Sequence, residues 1–230
     1  MSYNNRNQII DDDQLNLKNK STRLPILFCV ESTNDFPTAV IQEQLINFFS
    51  EINNNDDLSS CADIAIMQYD TTEKVVRGFS LINSSNEKIS IEMSDTTNFA
   101  DLGRALMSAI KKIKIHIMDY MTLNLNYYAP TIILFSSGKF EGEMQKALDT
   151  ICGLKESGTL HIIPFVHNSD NKSFFEKISV NGDVFGSSAT GYKRLFDQIK
   201  KSMHTLSTSS GNAYKSLLNT SKEWDNFKLR

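Results

Sequence analysis

A chain of 230 residues with 40 % hydrophobic side chains has enough apolar material for one sizeable core, which excludes wholesale disorder. The formal net charge of -3, without a Lys/Arg-rich run, argues against nucleic acid or an anionic membrane as the main partner and leaves a protein or a small ligand. Cys29, Cys61 and Cys152 are far apart and lack C-x-x-C spacing, so buried free thiols are expected rather than a disulfide framework or a cysteine zinc site.

Residues 1–22 carry few apolar side chains and the run Asp11, Asp12 and Asp13, which reads as a solvated tail that is disordered unless a partner orders it. No ligand loop of EF-hand spacing surrounds the three aspartates. The tail also lacks the basic-then-apolar layout of a signal peptide, and no apolar stretch approaches a membrane span, so a cytoplasmic location is expected.

Residues 23–206 are expected to form one domain. Residues 24–30 (LPILFCV) read as a strand buried on both faces, followed by a helix over 37–52 with Ile41, Leu45, Phe48 and Ile52 on one stripe. Residues 62–69 and 74–82 are two strands whose four-residue link demands antiparallel pairing. A long helix over 98–120 precedes the strand 131–135 (TIILF), which ends at Ser136-Ser137-Gly138. A helix at 143–155, a strand at 159–166, a short helix at 171–178, a weak edge strand at 183–185 and a helix at 191–206 follow. Such alternation predicts an α/β fold: a doubly wound, mostly parallel sheet of six strands with one antiparallel edge strand and helices on both faces. Residues 207–230 read as a Ser/Thr-rich linker and a C-terminal amphipathic helix bearing Trp224, either docked on the domain or offered to a partner.

In an open parallel sheet, ligands bind beyond the carboxyl ends of the strands, where the connections change face. Three loops should meet there: 31–36, 95–101 and 136–140. These loops, with the segments RLPILFCVESTNDF, DTTNFADLGRAL and YAPTIILFSSGKF, resemble a von Willebrand factor A (VWA) domain. The nearest likeness is to the bacterial tellurium-resistance TerY-type branch, and it covers roughly residues 23–205.

The family's metal-ion-dependent adhesion site (MIDAS) uses an Asp-x-Ser-x-Ser loop, a threonine before a helix, and an aspartate in a Thr-Asp-Gly turn. Here the first loop aligns as Glu31-Ser32-Thr33-Asn34-Asp35, the threonine as Thr97 or Thr96, and the turn as Ser136-Ser137-Gly138, so the site is degenerate. Magnesium demands near-octahedral oxygens at roughly 2.0–2.1 Å, and both the longer Glu31 and the neutral Ser137 work against that. Two outcomes follow from the resemblance. Either Glu31, Thr33, Asp35 and Thr97 hold a rearranged Mg or Mn site, or no cofactor binds and Glu31 accepts hydrogen bonds from Thr33, Ser137, Thr97 or the following amides. Phe36 and Phe140 border the site; they could form an apolar rim for a partner or simply pack in the core, and Phe185 is a third aromatic of that kind.

No Gly-rich phosphate loop follows the first strand, the four histidines are scattered, and no Gly-x-Ser-x-Gly elbow frames Ser136 or Ser137. Asp35, Asp70 and Asp101 could share one edge and serve a phosphotransfer or hydrolase site, but Lys139 is wrongly placed for a receiver lysine. The expected function is therefore a non-catalytic protein-protein interaction module using the carboxyl-edge loops. A metal-dependent VWA domain and a doubly wound hydrolase or phosphotransfer domain stand as alternatives. The resemblance implies bacterial stress or phosphorylation-linked signalling, with a kinase or phosphatase of the same operon as partner.

Overall fold

A computed structural model describes residues 21–82, 89–93, 99–168, 170–186, 191–208, 217 and 222–229. Its centre is strand β1 (Leu24–Glu31), every residue of which is buried. Helix α1 (Thr38–Asn53), a single helical turn α2 (Asp56–Ser59) and strand β2 (Ala62–Tyr69) follow, then strand β3 (Glu73–Leu81). A two-residue strand β4 (Ala100–Asp101) leads into the long helix α3 (Leu102–Thr122). Strand β5 (Thr131–Ser136), the two-residue β6 (Phe140–Glu141), helix α4 (Gln145–Glu156), strand β7 (His161–Val166), and helices α5 (Lys172–Ile178) and α6 (Tyr192–Thr208) complete the domain.

The main sheet runs β3-β2-β1-β5-β7, and only β3 is antiparallel. Side chains alternate across β1 with the period of two that a pleated strand imposes. Ile26, Phe28 and Val30 enter the core shared with α1 and α6, while Leu27 and Cys29 enter the core shared with α3 and α4. In the first core, Phe28, Phe135 and Phe196 stack, with Phe48 edge-on to Phe28 at 5.5 Å. Both faces are covered, which is why the central strands read as unbroken apolar runs.

The sheet has five strands, not the six expected. Residues 183–185 make a single parallel bridge, Phe185 to Phe165, in place of an edge strand. Pro164 is the cause: it lies on the outward-bonding register of β7, where its carbonyl accepts from the Phe185 amide at 3.0 Å but its own nitrogen has nothing to donate. The helix expected from residue 98 begins at Leu102, because the Asp101 carboxylate accepts from the Arg104 amide at 3.0 Å and caps it.

Of the expected C-terminal amphipathic helix, residues 222–227 form a 3-10 turn, and 209–216 and 218–221 lie outside the described residues. Trp224 is 3 % exposed and packs on Phe185 and Phe165, so it is not presented to a partner. Of the expected tail, residues 1–22, positions 1–20 with the three aspartates also lie outside the described residues.

Cys29 and Cys61 are buried, whereas Cys152 is half-buried, against expectation. Burial, and secondarily the charge of Glu31, pushes the Cys29 thiol far up; burial pushes Cys61 up to about 12. Because the thiolate is the reactive form, a thiol reagent added to the native chain at neutral pH should label Cys152 first. Mass spectrometry showing Cys29 modified at a comparable rate would contradict this burial.

Candidate functional site

Glu31 ends β1 between two neighbours set by register: Tyr69 lies beside it on β2, and the pairing of Val30 with Phe135 brings Ser136 of β5 to its other side. This is the switch point of the sheet, since α1 leaves β1 on one face and α4 leaves β5 on the other. Glu31 is fully buried, as are Ser32, Thr33 and Ser136, with Ser137 2 % exposed.

A carboxylate held out of water must be matched by donors, and three converge here. The Thr33 hydroxyl donates to Oε1 at 2.5 Å, the Ser136 hydroxyl to Oε2 at 3.0 Å, and the Ser137 amide to Oε2 at 2.7 Å. Ser136 Oγ in turn accepts from the Gly138 amide at 3.1 Å, and Ser137 Oγ accepts from the Lys139 amide at 3.1 Å, which tightens the turn. Gly138 has φ +89, and an added Cβ would stand 2.7 Å from the Asn168 carbonyl, so the turn accepts no side chain there. Burial first, then the charge of Glu31, pushes the Tyr69 phenol well above its ordinary pKa; its hydroxyl donates to the Phe135 carbonyl at 3.1 Å.

Above this closed network lies an exposed ion pair, Lys139 Nζ to Asp35 Oδ2 at 2.7 Å. The Asp35 carboxylate, by hydrogen bond and by charge, raises the Lys139 pKa. The loops are tied further by the parallel β4–β6 pairing and by the Asp101 amide donating to the Asp70 carbonyl at 2.8 Å.

Of the residues singled out in sequence, Glu31, Thr33 and Ser137 meet in one network, although Ser137 contributes its amide and not its hydroxyl. Asp35 is at the rim but turned to Lys139. Thr96 and Thr97 lie outside the described residues. Phe36 is not a rim residue: the turn in which its amide donates to the Thr33 carbonyl at 3.2 Å folds it into the core, where it is 3 % exposed. Phe185 is fully buried too. Phe140 is half-buried against Phe174 and Phe175, at centroid distances of 5.1 and 5.9 Å.

Sequence reasoning missed the Ser136 hydroxyl and the Lys139 pairing. The first was signalled by its place next to Ser137 in the aligned turn; the second had no local signal. Asp70 and Asp101 do share this edge with Asp35, but each serves the backbone: Asp70 accepts from the Thr72 amide at 2.7 Å and Asp101 caps α3.

The described donor set does not fit the magnesium ion that the resemblance implies. Both oxygens of the one buried carboxylate are taken by protein donors, the second carboxylate position is the neutral Ser137, and Asp35 is neutralised by an ammonium. An octahedral site needs free oxygen lone pairs converging on one point. Among the described residues no group of three or more His, Cys, Asp or Glu side chains is so arranged.

The architecture is that of a von Willebrand factor A domain: a mostly parallel sheet with one antiparallel edge strand, helices on both faces and the site loops at the switch point. No protein-family model and no curated protein matches the chain. Solved structures do. A von Willebrand factor type A protein from Catenulispora acidiphila superposes with a TM-score of 0.53 at 12 % identity, over 80 % of this chain and 43 % of that one. The pilus adhesin SpaC from Lactobacillus rhamnosus GG, in its open conformation, gives 0.55 at 10 % identity over 82 % and 31 %. Proximal thread matrix protein 1 from the mussel byssus gives 0.52 at 11 % over 77 % and 47 %. The chain thus spans less than half of each of these proteins, and at such identities the likeness defines the fold. Among the described residues no helix is long and apolar enough to cross a membrane.

Proposed function

We propose that this chain is a non-catalytic protein-interaction domain whose contact surface is the carboxyl-edge loops, working without a metal ion. The observation that carries this reading is the Glu31 network. Its donors are committed to the Glu31 carboxylate, and because Glu31, Thr33 and Ser136 are all fully buried, neither hydroxyl is presented to a substrate as a nucleophile and no coordination position stands open among the described residues. What faces outward is Asp35, Lys139 and the half-buried Phe140, a charged pair beside an aromatic, which suits recognition of a protein surface. That a pilus adhesin and a byssus matrix protein share the fold supports the interaction reading at a coarse level. The sequence likeness to the TerY-type branch supports a bacterial cytoplasmic setting in stress or phosphorylation-linked signalling, with a kinase or phosphatase as partner.

Thermal melting with added Mg²⁺ or Mn²⁺ tests the metal-free part. An ion present at 100 times its Kd would add about 2.7 kcal/mol of stability, several degrees for a domain of this size; no shift is expected at millimolar ion. A shift that Glu31→Gln abolishes would overturn the reading. Pull-down with wild type beside an Asp35→Ala/Lys139→Ala variant tests the surface: one specific partner should be lost, and an unchanged partner set would move the contact elsewhere.

A further inference from the structure

The described C-terminal residues lie on the sheet as a bound peptide would, on an edge that the carboxyl-edge site does not use. Residues 184–186 run along β7, with the Phe185 amide donating to the Pro164 carbonyl at 3.0 Å and the Val166 amide to the Phe185 carbonyl at 2.8 Å. On their other side they take one more partner in antiparallel register. The Gly186 amide donates to the Phe227 carbonyl at 2.8 Å, the Leu229 amide donates to the Val184 carbonyl at 2.7 Å, and Phe185 opposes Lys228.

The side chains of the segment are received at defined positions. Leu217 and Trp224 enter the core shared with α1 and α6, while Leu229 packs against the core shared with α3 and α4, so the segment straddles the edge of the sheet. Trp224 Nε1 donates to Ser202 Oγ of α6 at 3.1 Å. Lys228 Nζ stands 2.9 Å from the Asp183 carboxylate and 2.8 Å from that of Asp225. Gly186 leaves room for Leu229: an added Cβ there would stand 2.5 Å from Leu229 Cδ1. The edge thus fits a tryptophan, a lysine four residues on and a leucine after it.

The same contacts show how the segment can leave. Leu217 and Trp224 are buried, but Phe227 and Leu229 are half-buried and Lys228 is exposed, so little apolar surface holds it and it opens below the cost of global unfolding. Opening leaves the Gly186 amide and the Val184 carbonyl unpaired on a sheet edge, a template for another strand. Every copy of this chain carries the segment that fits.

We propose that this edge is a docking site for the Trp224–Leu229 segment in trans, with a second copy of the chain as the occupant and the cis segment as a competing plug. Exchange in both directions repeats the cis contacts across a closed two-fold dimer.

A synthetic peptide of residues 217–230 stands in for the second copy's segment. The Trp224→Ala chain holds no other tryptophan, so emission from the peptide reads docking alone. A saturable blue shift is expected, and a peptide with Leu229→Asp, which would bring a carboxylate against the core, should bind about tenfold or more weakly. Lys228→Glu sets a third carboxylate beside Asp183 and Asp225 and loosens the plug; the site is exposed, so this variant keeps the fold and decides the matter should Trp224→Ala not fold. A fluorescein-labelled peptide should bind wild type about tenfold or more weakly than Lys228→Glu, because the tethered segment competes at an effective concentration on the order of millimolar. Sedimentation of wild type should show a monomer at micromolar concentration and a dimer fraction that grows towards millimolar and falls with excess peptide. A folded Trp224→Ala chain giving no saturable shift, equal binding of the Leu229→Asp peptide, equal affinity for wild type and Lys228→Glu, or a wild type still monomeric at millimolar concentration would each overturn the proposal.

Discussion

Replacing Trp224 with alanine should lower the unfolding free energy by about 3–5 kcal/mol, as large-to-small changes at buried aromatics do. A loss of that size is a large share of the about 5–15 kcal/mol typical of a domain. The indole is 3 % exposed, lies 5.5 Å from the Phe185 ring and 6.3 Å from both Phe165 and Phe227, and its Nε1 donates to Ser202 Oγ and to the Leu217 carbonyl, each at 3.1 Å. It therefore fastens the C-terminal segment to α6 and to the edge of β7. Behind it the Gly186 amide donates to the Phe227 carbonyl at 2.8 Å and the Leu229 amide to the Val184 carbonyl at 2.7 Å. Losing the anchor should free this edge, and the variant should bind a hydrophobic dye and aggregate more readily. Trp224→Phe keeps a ring in place and deletes only the N–H bonds, so about 1 kcal/mol is expected. Urea unfolding followed by far-ultraviolet circular dichroism reads both, since this is the chain's only tryptophan and its fluorescence is lost with it. An alanine variant that unfolds at the wild-type midpoint would show that the segment is not part of the core.

The same contrast between local and distant contacts explains what the sequence could and could not reveal. Strands β1, β2, β5 and β7 are legible because each is an apolar run covered on both faces, and the hairpin to β3 because its link is too short for a crossover. The missing sixth strand was predictable in hindsight from one residue: Pro164 cannot donate on the edge where a further strand would have to bond. β4 and β6 carry no periodicity because two residues cannot show one, yet they join loops 40 positions apart and fix the start of α3. At the site, Glu31 and Thr33 are two residues apart, so their bond follows from a tight turn. Asp35 and Lys139 are separated by 104 residues, and only the β1–β5 register places them together. Phe36 is ambiguous in sequence for a similar reason: Asn34 and Asp35 before it are polar, but a turn sends its ring inward.

Glu31→Ala should be the most costly change at the site, about 2–4 kcal/mol, with two effects opposing each other. Burying a carboxylate costs several kcal/mol, so its removal relieves a penalty. Against that, the Ser137 amide is fixed by the turn and cannot rotate away, and a buried donor without an acceptor costs about 1–3 kcal/mol. The Thr33 and Ser136 hydroxyls can turn to other acceptors, but the emptied volume between β1 and β5 cannot close, because both strands are locked in the sheet. Glu31→Gln separates charge from shape. It fills the same volume, yet its NH₂ group is a donor where three donors already converge, so one of them must lose its acceptor, at about 1–3 kcal/mol. Were Glu31 a metal ligand, the order would depend on the ion: the variants would differ from wild type in Mg²⁺ and converge with it in chelator. With the carboxylate satisfied by Thr33, Ser136 and Ser137, the ranking wild type above Gln above Ala should hold equally in Mg²⁺ and in chelator, read as urea midpoints. A Gln variant as stable as wild type would mean that the charge on Glu31 does not hold the three loops, and the closed network would lose its role as the organiser of the carboxyl edge.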